Sequence, residues 1–238
     1  MIKEVVLERY LDTLLRGDRK RCRTVIEETL QSGIPANSVY VDVIWPIMVE
    51  IEKLFRSDKV TSAQEHLATR INRTIVDQLQ NKLPRRPSKD KKIAVCCAPE
   101  ELQELGAQIM ADLFESDGWQ VKFLGGGLTN DDILAYINEY APDILLIYGT
   151  APKQAPDVRR LIDTIRTINA WPNMRIMLSG GLFGRAEGLW QEIGGDLFAD
   201  TPIEALRVAS EDRPIEPELA AVNNQRKRHQ RIATDLPV

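Results

Sequence analysis

Apolar residues recur at helical spacing through the first 83 positions. Val6, Tyr10 and Leu14 run beside Leu7, Leu11 and Leu15, and Gly17-Asp18 ends that stripe. Cys22, Val25, Ile26, Thr29 and Leu30 form a second stripe, closed by Gly33-Ile34-Pro35. Val39, Val43, Ile47, Ile51 and Leu54 form a third. Thr61-x-x-Gln64 and Ser62-x-x-Glu65 both fit a capping box, so a fourth helix is expected to run to about Leu83. Four helices with short connections predict a bundle over residues 1–83. Residues 84–92 (PRRPSKDKK) break both periodicities and read as a linker.

From residue 93 the pattern alternates between strand and helix. Strands are expected at 93–97, 120–124, 143–148, 174–179 and 196–199. Helices are expected at 100–116, 131–140, 155–169, 185–193 and 202–209. Residues 144–147 are apolar without interruption, as a strand buried on both faces requires. The predicted class is α/β: a helical-bundle cap, then a doubly wound parallel sheet of five strands over 93–210. Strand order 2-1-3-4-5 places the ligand crevice where strands 1 and 3 diverge. Residues 211–238 form a polar tail with a basic cluster (Arg226, Lys227, Arg228, His229, Arg231), expected to be extended or partly disordered.

Composition narrows the function. A net charge of -4 disfavours a broadly basic nucleic-acid surface. Two His exclude a metal site of three imidazoles, and three Cys cannot form a paired disulfide framework. No apolar run is long enough for a bilayer, and the N-terminus lacks a signal-peptide pattern, so a cytoplasmic protein is expected. Cys96-Cys97 adjoin the crevice without a second pair to make a zinc site. Gly125-Gly126-Gly127 matches no phosphate-binding fingerprint and reads as a turn at the crevice rim. Glu100, Glu101 and Glu104 cluster where a helix N-terminus is expected, which suits its dipole. No nucleophile has an evident base, so a binding module is expected rather than an enzyme.

Four local motifs bear on the crevice. Phe55 is followed, after nine residues, by Glu65-His66. Glu101-Leu102-Gln103-Glu104-Leu105-Gly106 follows strand 1, and Tyr148-Gly149-Thr150 ends strand 3. Ser179-Gly180-Gly181 ends strand 4. With the two-domain order, these segments resemble the cobalamin-binding cap-plus-Rossmann family. The segments Tyr10–Arg19 and Ala63–Thr69 are similar to the cap of its light-sensing, adenosylcobalamin-dependent regulators. The resemblance spans residues 10–209.

In that family the cap motif is Trp, nine residues, then Glu-His. Here Phe55 stands at the Trp position, with Glu65 and His66 retained; Trp45 is not at the matching position. The resemblance implies that Phe55 packs over the corrin, and that His66, oriented by Glu65, is the one protein ligand able to reach cobalt from above. The family's lower-ligand motif is an acid, any residue, His, two residues and Gly. Glu101 and Gly106 keep its ends, but Gln103 replaces the His. An amide is a much poorer cobalt ligand than an imidazole, so no protein ligand below cobalt is expected. The family's Ser after strand 3, which contacts the nucleotide tail, is Tyr148, with Thr150 two positions on. Tyr148 either fills part of the tail channel or turns to the other sheet face. Gly180 and Gly181 keep the family's glycine pair, implying close backbone approach to the ligand.

The implied function is a sensory or regulatory module holding a corrinoid, or another tetrapyrrole, between cap and sheet. Its output would be cap movement read by a protein partner or a second copy of the chain, without direct nucleic-acid or membrane binding. A cofactor-free interaction module on the same scaffold is the alternative reading, and a corrinoid methyl carrier a third.

Overall fold

A computed structural model describes residues 2–211, with side-chain placement from residue 4; the basic tail cluster lies outside this range. The cap contains α1 (Ile2–Leu15), α2 (Arg19–Gln31), a composite third helix and α5 (Ser62–Gln80). Asp18 caps α2 by accepting from the Arg21 amide at 2.9 Å. Of the two overlapping capping boxes, the one that forms is Thr61 with Gln64.

The third helix holds a feature that periodicity does not show. It starts as α3 (Ala36–Val39), widens into a π turn at Tyr40–Ile44, and resumes as α4 (Trp45–Arg56). The Trp45 amide donates to the Tyr40 carbonyl, five residues back. Pro46 follows at once and has no N–H to give the preceding turn, so ordinary α bonding is broken there.

The second domain comprises β1 (Lys92–Cys97), α6 (Leu105–Ser116), β2 (Gln120–Gly125), α7 (Asn130–Tyr140), β3 (Ile144–Tyr148), α8 (Ala155–Ile168), β4 (Arg175–Ser179), α9 (Leu189–Ile193), β5 (Leu197–Ala199) and α10 (Pro202–Ser210). All strand pairs are parallel and the order is β2-β1-β3-β4-β5, as expected from sequence. Side chains alternate between two cores. Ile93, Val95, Ile144, Leu146 and Tyr148 face α6 and join the core of the cap. Ala94, Cys96, Leu145 and Ile147 face α7 and α8. One apolar core therefore runs from the bundle onto one face of the sheet.

Two expected helices are shorter than their patterns suggest. The helix expected from residue 100 starts at Leu105, and the one expected from 185 starts at Leu189. In both cases the missing turn is spent on long-range hydrogen bonds, described below. The linker is tied along the end of α6. The Arg86 amide donates to Ser116 O at 2.9 Å, and Arg86 and Lys89 both pair with Asp117.

A buried polar knot joins the two domains on the side away from the crevice. The Tyr40 hydroxyl lies 2.9 Å from Asp112 Oδ2 on α6 and 2.8 Å from Val76 O on α5. Gln80 Nε2 donates to Asp112 Oδ1 at 3.1 Å. Burial pushes the Asp112 carboxyl from 3.8 up to about 6, against the lowering effect of the Tyr40 hydrogen bond. The folded chain therefore holds a proton at Asp112 that the unfolded chain releases, so this group weakens the fold as pH rises from 3.8 to about 6. We expect Asp112→Asn to remove that part of the pH dependence. Denaturation midpoints of the two proteins across this range will check it; parallel profiles would refute the assignment.

Candidate functional site

The C-terminal ends of β1, β3 and β4 open toward the cap, and loops at those ends form the floor of a cleft. The loop after β1, residues 98–104, is held by its own carboxylates. Glu101 is buried, and its Oε2 accepts from both the amide and the hydroxyl of Thr150 at 2.7 Å. Its Oε1 accepts from the Gln103 amide at 2.8 Å. Gln154, also buried, accepts from the Thr150 and Ala151 amides at 3.2 and 3.1 Å. Glu101 and Thr150 thus clamp the β1 and β3 loops together. This clamp takes up Glu101, which was expected to lie in the first turn of the helix.

Glu104 reaches two ways. Oε1 accepts from the Gly126 amide at 2.7 Å, and Oε2 accepts from Arg73 of α5 at 3.2 Å. The glycine turn after β2 therefore receives an anion supplied by the chain itself. Arg185 spans the next gap, donating to Gly181 O at 3.0 Å and Thr150 O at 2.9 Å. That reach accounts for the turn missing before α9.

The cleft between these loops and the cap is lined by Trp45, Met48, Val49, Ile51, Glu52 and Phe55 of α4. Glu65, Thr69 and Asn72 of α5, with Gln103, Leu105 and Tyr148 from the sheet domain, complete it. It encloses a cavity of about 60 Å³. Of the residues expected from sequence, Phe55, Glu65, Gln103 and Tyr148 meet here. His66 does not: its side chain is 72% exposed, 3.7 Å from Glu65 through Nε2. Trp45, off the family position by spacing, lies on the same helix as Phe55 and lines the same cavity. Asn72 and Glu52 had no motif to mark them, and Thr69 only closed the cap-like segment Ala63–Thr69.

The family's upper and lower positions touch across the cleft. Gln103 Nε2 lies 3.4 Å from Glu65 Oε1, and Thr69 donates to the same oxygen at 3.1 Å. The three motif glycines leave space that the protein itself fills. A Cβ on Gly106 would stand 2.2 Å from the Tyr148 hydroxyl. At Gly180 (φ +98°) a Cβ would stand 2.4 Å from Gly149 O, so that glycine serves the packing of the β3 and β4 loops. Gly181 faces Glu52 and Arg56, an ion pair on α4, at 3.4 to 3.6 Å. Tyr148 settles between the two faces open to it: its ring is on the α6 side, against Gly106. Burial, then Glu52 and Glu101, raises its hydroxyl pKa, so it remains a neutral donor. Cys96 is buried, with its thiol pushed up to about 12, and Cys97 is raised further, so neither is a thiolate.

A helical bundle closes over the strand ends of a 2-1-3-4-5 sheet, with an apolar cleft between, which places a small-molecule binding site at the strand ends. Comparison with known proteins defines the class. Residues 6–80 and 91–207 each match a family described as B12 binding domain. The chain belongs to the cobalamin-binding family, whose cofactor is cobalamin. It is 24% identical over 149 residues to the HTH-type transcriptional repressor CarH of Myxococcus xanthus, covering 63% of this chain and 49% of that protein. The chain thus spans about half the length of that repressor. It is 23% identical over 189 residues to the corrinoid protein DSY3155 of Desulfitobacterium hafniense, covering 77% of this chain and 81% of the relative. The monomethylamine corrinoid protein of Methanosarcina barkeri shares the fold, with a TM-score of 0.75 and 17% identity over 87% of this chain and 97% of that one.

The residues present fit the cofactor on one side only. On the cap side an apolar wall and an orphaned buried amide, Asn72 Nδ2, suit a macrocycle with polar edges. On the sheet side Gln103 offers no imidazole, and Tyr148 occupies the space beside Gly106. We expect Gly106→Ala to destabilise the fold by about 1–3 kcal/mol through overpacking. The same change in a Tyr148→Ala background should cost much less. A double-mutant cycle by chemical denaturation measures the coupling; additive effects would show that the ring is free to move away.

Proposed function

We propose that this chain is a sensory or regulatory module that holds a corrinoid between its cap and the strand ends, with no protein imidazole beneath the cobalt. The observation that carries the reading is the direct contact between Glu65 and Gln103 across the cleft. A ring entering between them must part that hydrogen bond and displace the cap side, while the Tyr40–Asp112–Gln80 knot on the far side stays anchored. Occupancy of the cleft is thereby converted into a cap displacement, which a partner protein or a second copy can read.

In this reading Phe55 and Trp45 pack against the macrocycle, and Glu65 and Gln103 move to its edge. His66, exposed on the first turns of α5, reaches the site only with that displacement. When bound, the corrinoid supplies a light-absorbing centre with an exchangeable axial ligand. The similarity to corrinoid proteins also raises a methyl-carrier reading. The lower position argues against it: an amide in place of imidazole leaves the chain without the ligand that would steady cobalt through changes of oxidation state.

The test is the visible spectrum of the purified protein with adenosylcobalamin, in darkness and after illumination. The reading requires co-purifying corrinoid and, after light, a protein-bound species distinct from free hydroxocobalamin. A protein that takes up none, or whose bound corrinoid ignores light, would sink it. His66→Ala should abolish any spectral feature that depends on imidazole coordination; an unchanged spectrum removes His66 as a ligand.

A further inference from the structure

The deep end of the cleft holds two hydrogen-bond donors that the chain leaves unused. Asn72 on α5 is 1% exposed, and its Oδ1 accepts from the Tyr10 hydroxyl of α1 at 2.7 Å. Its Nδ2 has no partner. The Tyr148 hydroxyl, from the opposite wall, makes no hydrogen bond among the described residues. Both side chains line the same cavity, and Trp45, Ile51 and Leu105 supply apolar walls around them. A buried donor without an acceptor is a standing cost to a fold. Tyr10 makes the arrangement directional, because a hydroxyl donating to Oδ1 leaves the NH2 as the unsatisfied end.

Charge in the cleft points the same way. Its lining contains Glu52 and Glu65 and no Lys, Arg or His. Glu52 is paired with Arg56 one turn on. Glu65 is satisfied by a hydroxyl and an amide, with His66 3.7 Å away. A ligand bringing carboxylates would meet like charge in a partly dehydrated space. A ligand bringing uncharged carbonyl oxygens would meet two waiting donors.

We infer that Asn72, positioned by Tyr10, is a specificity-determining residue of the cleft, donating to an uncharged oxygen of the ligand. Together with the two carboxylates it selects a macrocycle edged with amides, such as a corrinoid, over a tetrapyrrole edged with carboxylates. The inference rests on the corrinoid reading above and adds the residue that enforces it. It also accounts for a polar pair in the bundle core, where Phe and Leu would pack with nothing left over.

The experiment titrates wild type, Asn72→Asp, Asn72→Leu and Tyr10→Phe with hydroxocobalamin and with haemin, followed by absorption. Thermal unfolding of each ligand-free protein runs alongside. Wild type should take up hydroxocobalamin at least about tenfold more tightly than haemin. Asn72→Asp keeps the shape but turns the donor into an acceptor, and should lose about tenfold or more. Asn72→Leu should lose a similar factor; because it also strands the buried Tyr10 hydroxyl, its stability is compared in a Tyr10→Phe background, where it should unfold at the same or a higher temperature than Tyr10→Phe alone. Tyr10→Phe, which frees the amide to rotate, should lose less. Undiminished cobalamin binding by Asn72→Asp or Asn72→Leu, or haemin held as tightly as cobalamin, would each overturn this inference alone. A wild type that takes up neither compound overturns the corrinoid reading with it.

Discussion

The lower half of this molecule's cleft is decided by one contact, the Tyr148 ring lying where a side chain on residue 106 would be. Glycine at 106 has no Cβ, so the aromatic ring can come down onto the start of α6 from the end of β3. The consequences spread outward. With the ring on that face, the space beside Gly106 belongs to the protein, and the strand end becomes a packed corner. Gln103, freed from any axial duty, turns up toward the cap and meets Glu65. The neighbouring Glu101 carboxylate then serves the loops, holding Thr150 by its amide and its hydroxyl. Residues at positions that the sequence resemblance assigned to the ligand are ties within the chain.

The cap and the sheet domain meet along two unlike edges. One edge is a buried knot in which a carboxyl, a phenol and an amide satisfy one another, within a core continuous from bundle to sheet. The other is the cleft side, where the polar contacts include the exposed 3.4 Å Gln103–Glu65 bond and the partly exposed Arg73–Glu104 pair, with Gln108–Asp77 between that side and the knot. Buried, mutually satisfied polar groups are expensive to separate, whereas exposed ion pairs contribute little. The opening motion proposed above would therefore turn about the knot and widen the cleft.

Much of the fold can be read directly from periodicity. The run 144–147 has no polar residue, so a central strand is the only economical reading, and the overlapping capping boxes at Thr61 and Ser62 mark the start of α5 to within one residue. What could not be read depends on contacts far apart in sequence. Residues 100–104 have a helical pattern, but Glu101 and Glu104 are bound by Thr150, Gly126 and Arg73, and these bonds hold the segment in a loop. The family resemblance placed Phe55, Glu65, Gln103 and Tyr148 at the cleft but gave no sign that Gln103 and Glu65 would touch. Trp45 was set aside because its spacing does not match the family motif, yet it lines the cleft beside Phe55. Asn72 carried no signal at all. A lone Asn in a helical stripe reads as a polar break, and only the third dimension shows one of its amide ends satisfied and the other waiting.

The π turn carries a mechanical implication. It packs five residues into a wide coil that begins at Tyr40, whose hydroxyl grips the interdomain knot, and hands over to Trp45, whose ring faces the cleft. Such a coil stores one surplus residue in the helix, and tightening it rotates everything downstream by roughly a quarter turn. Trp45, Phe55 and the Glu52–Arg56 pair all ride on that downstream segment. Were the turn to tighten, the third helix would act as a camshaft with its bearing at Asp112, a small change in winding at the fixed end swinging a whole wall at the other.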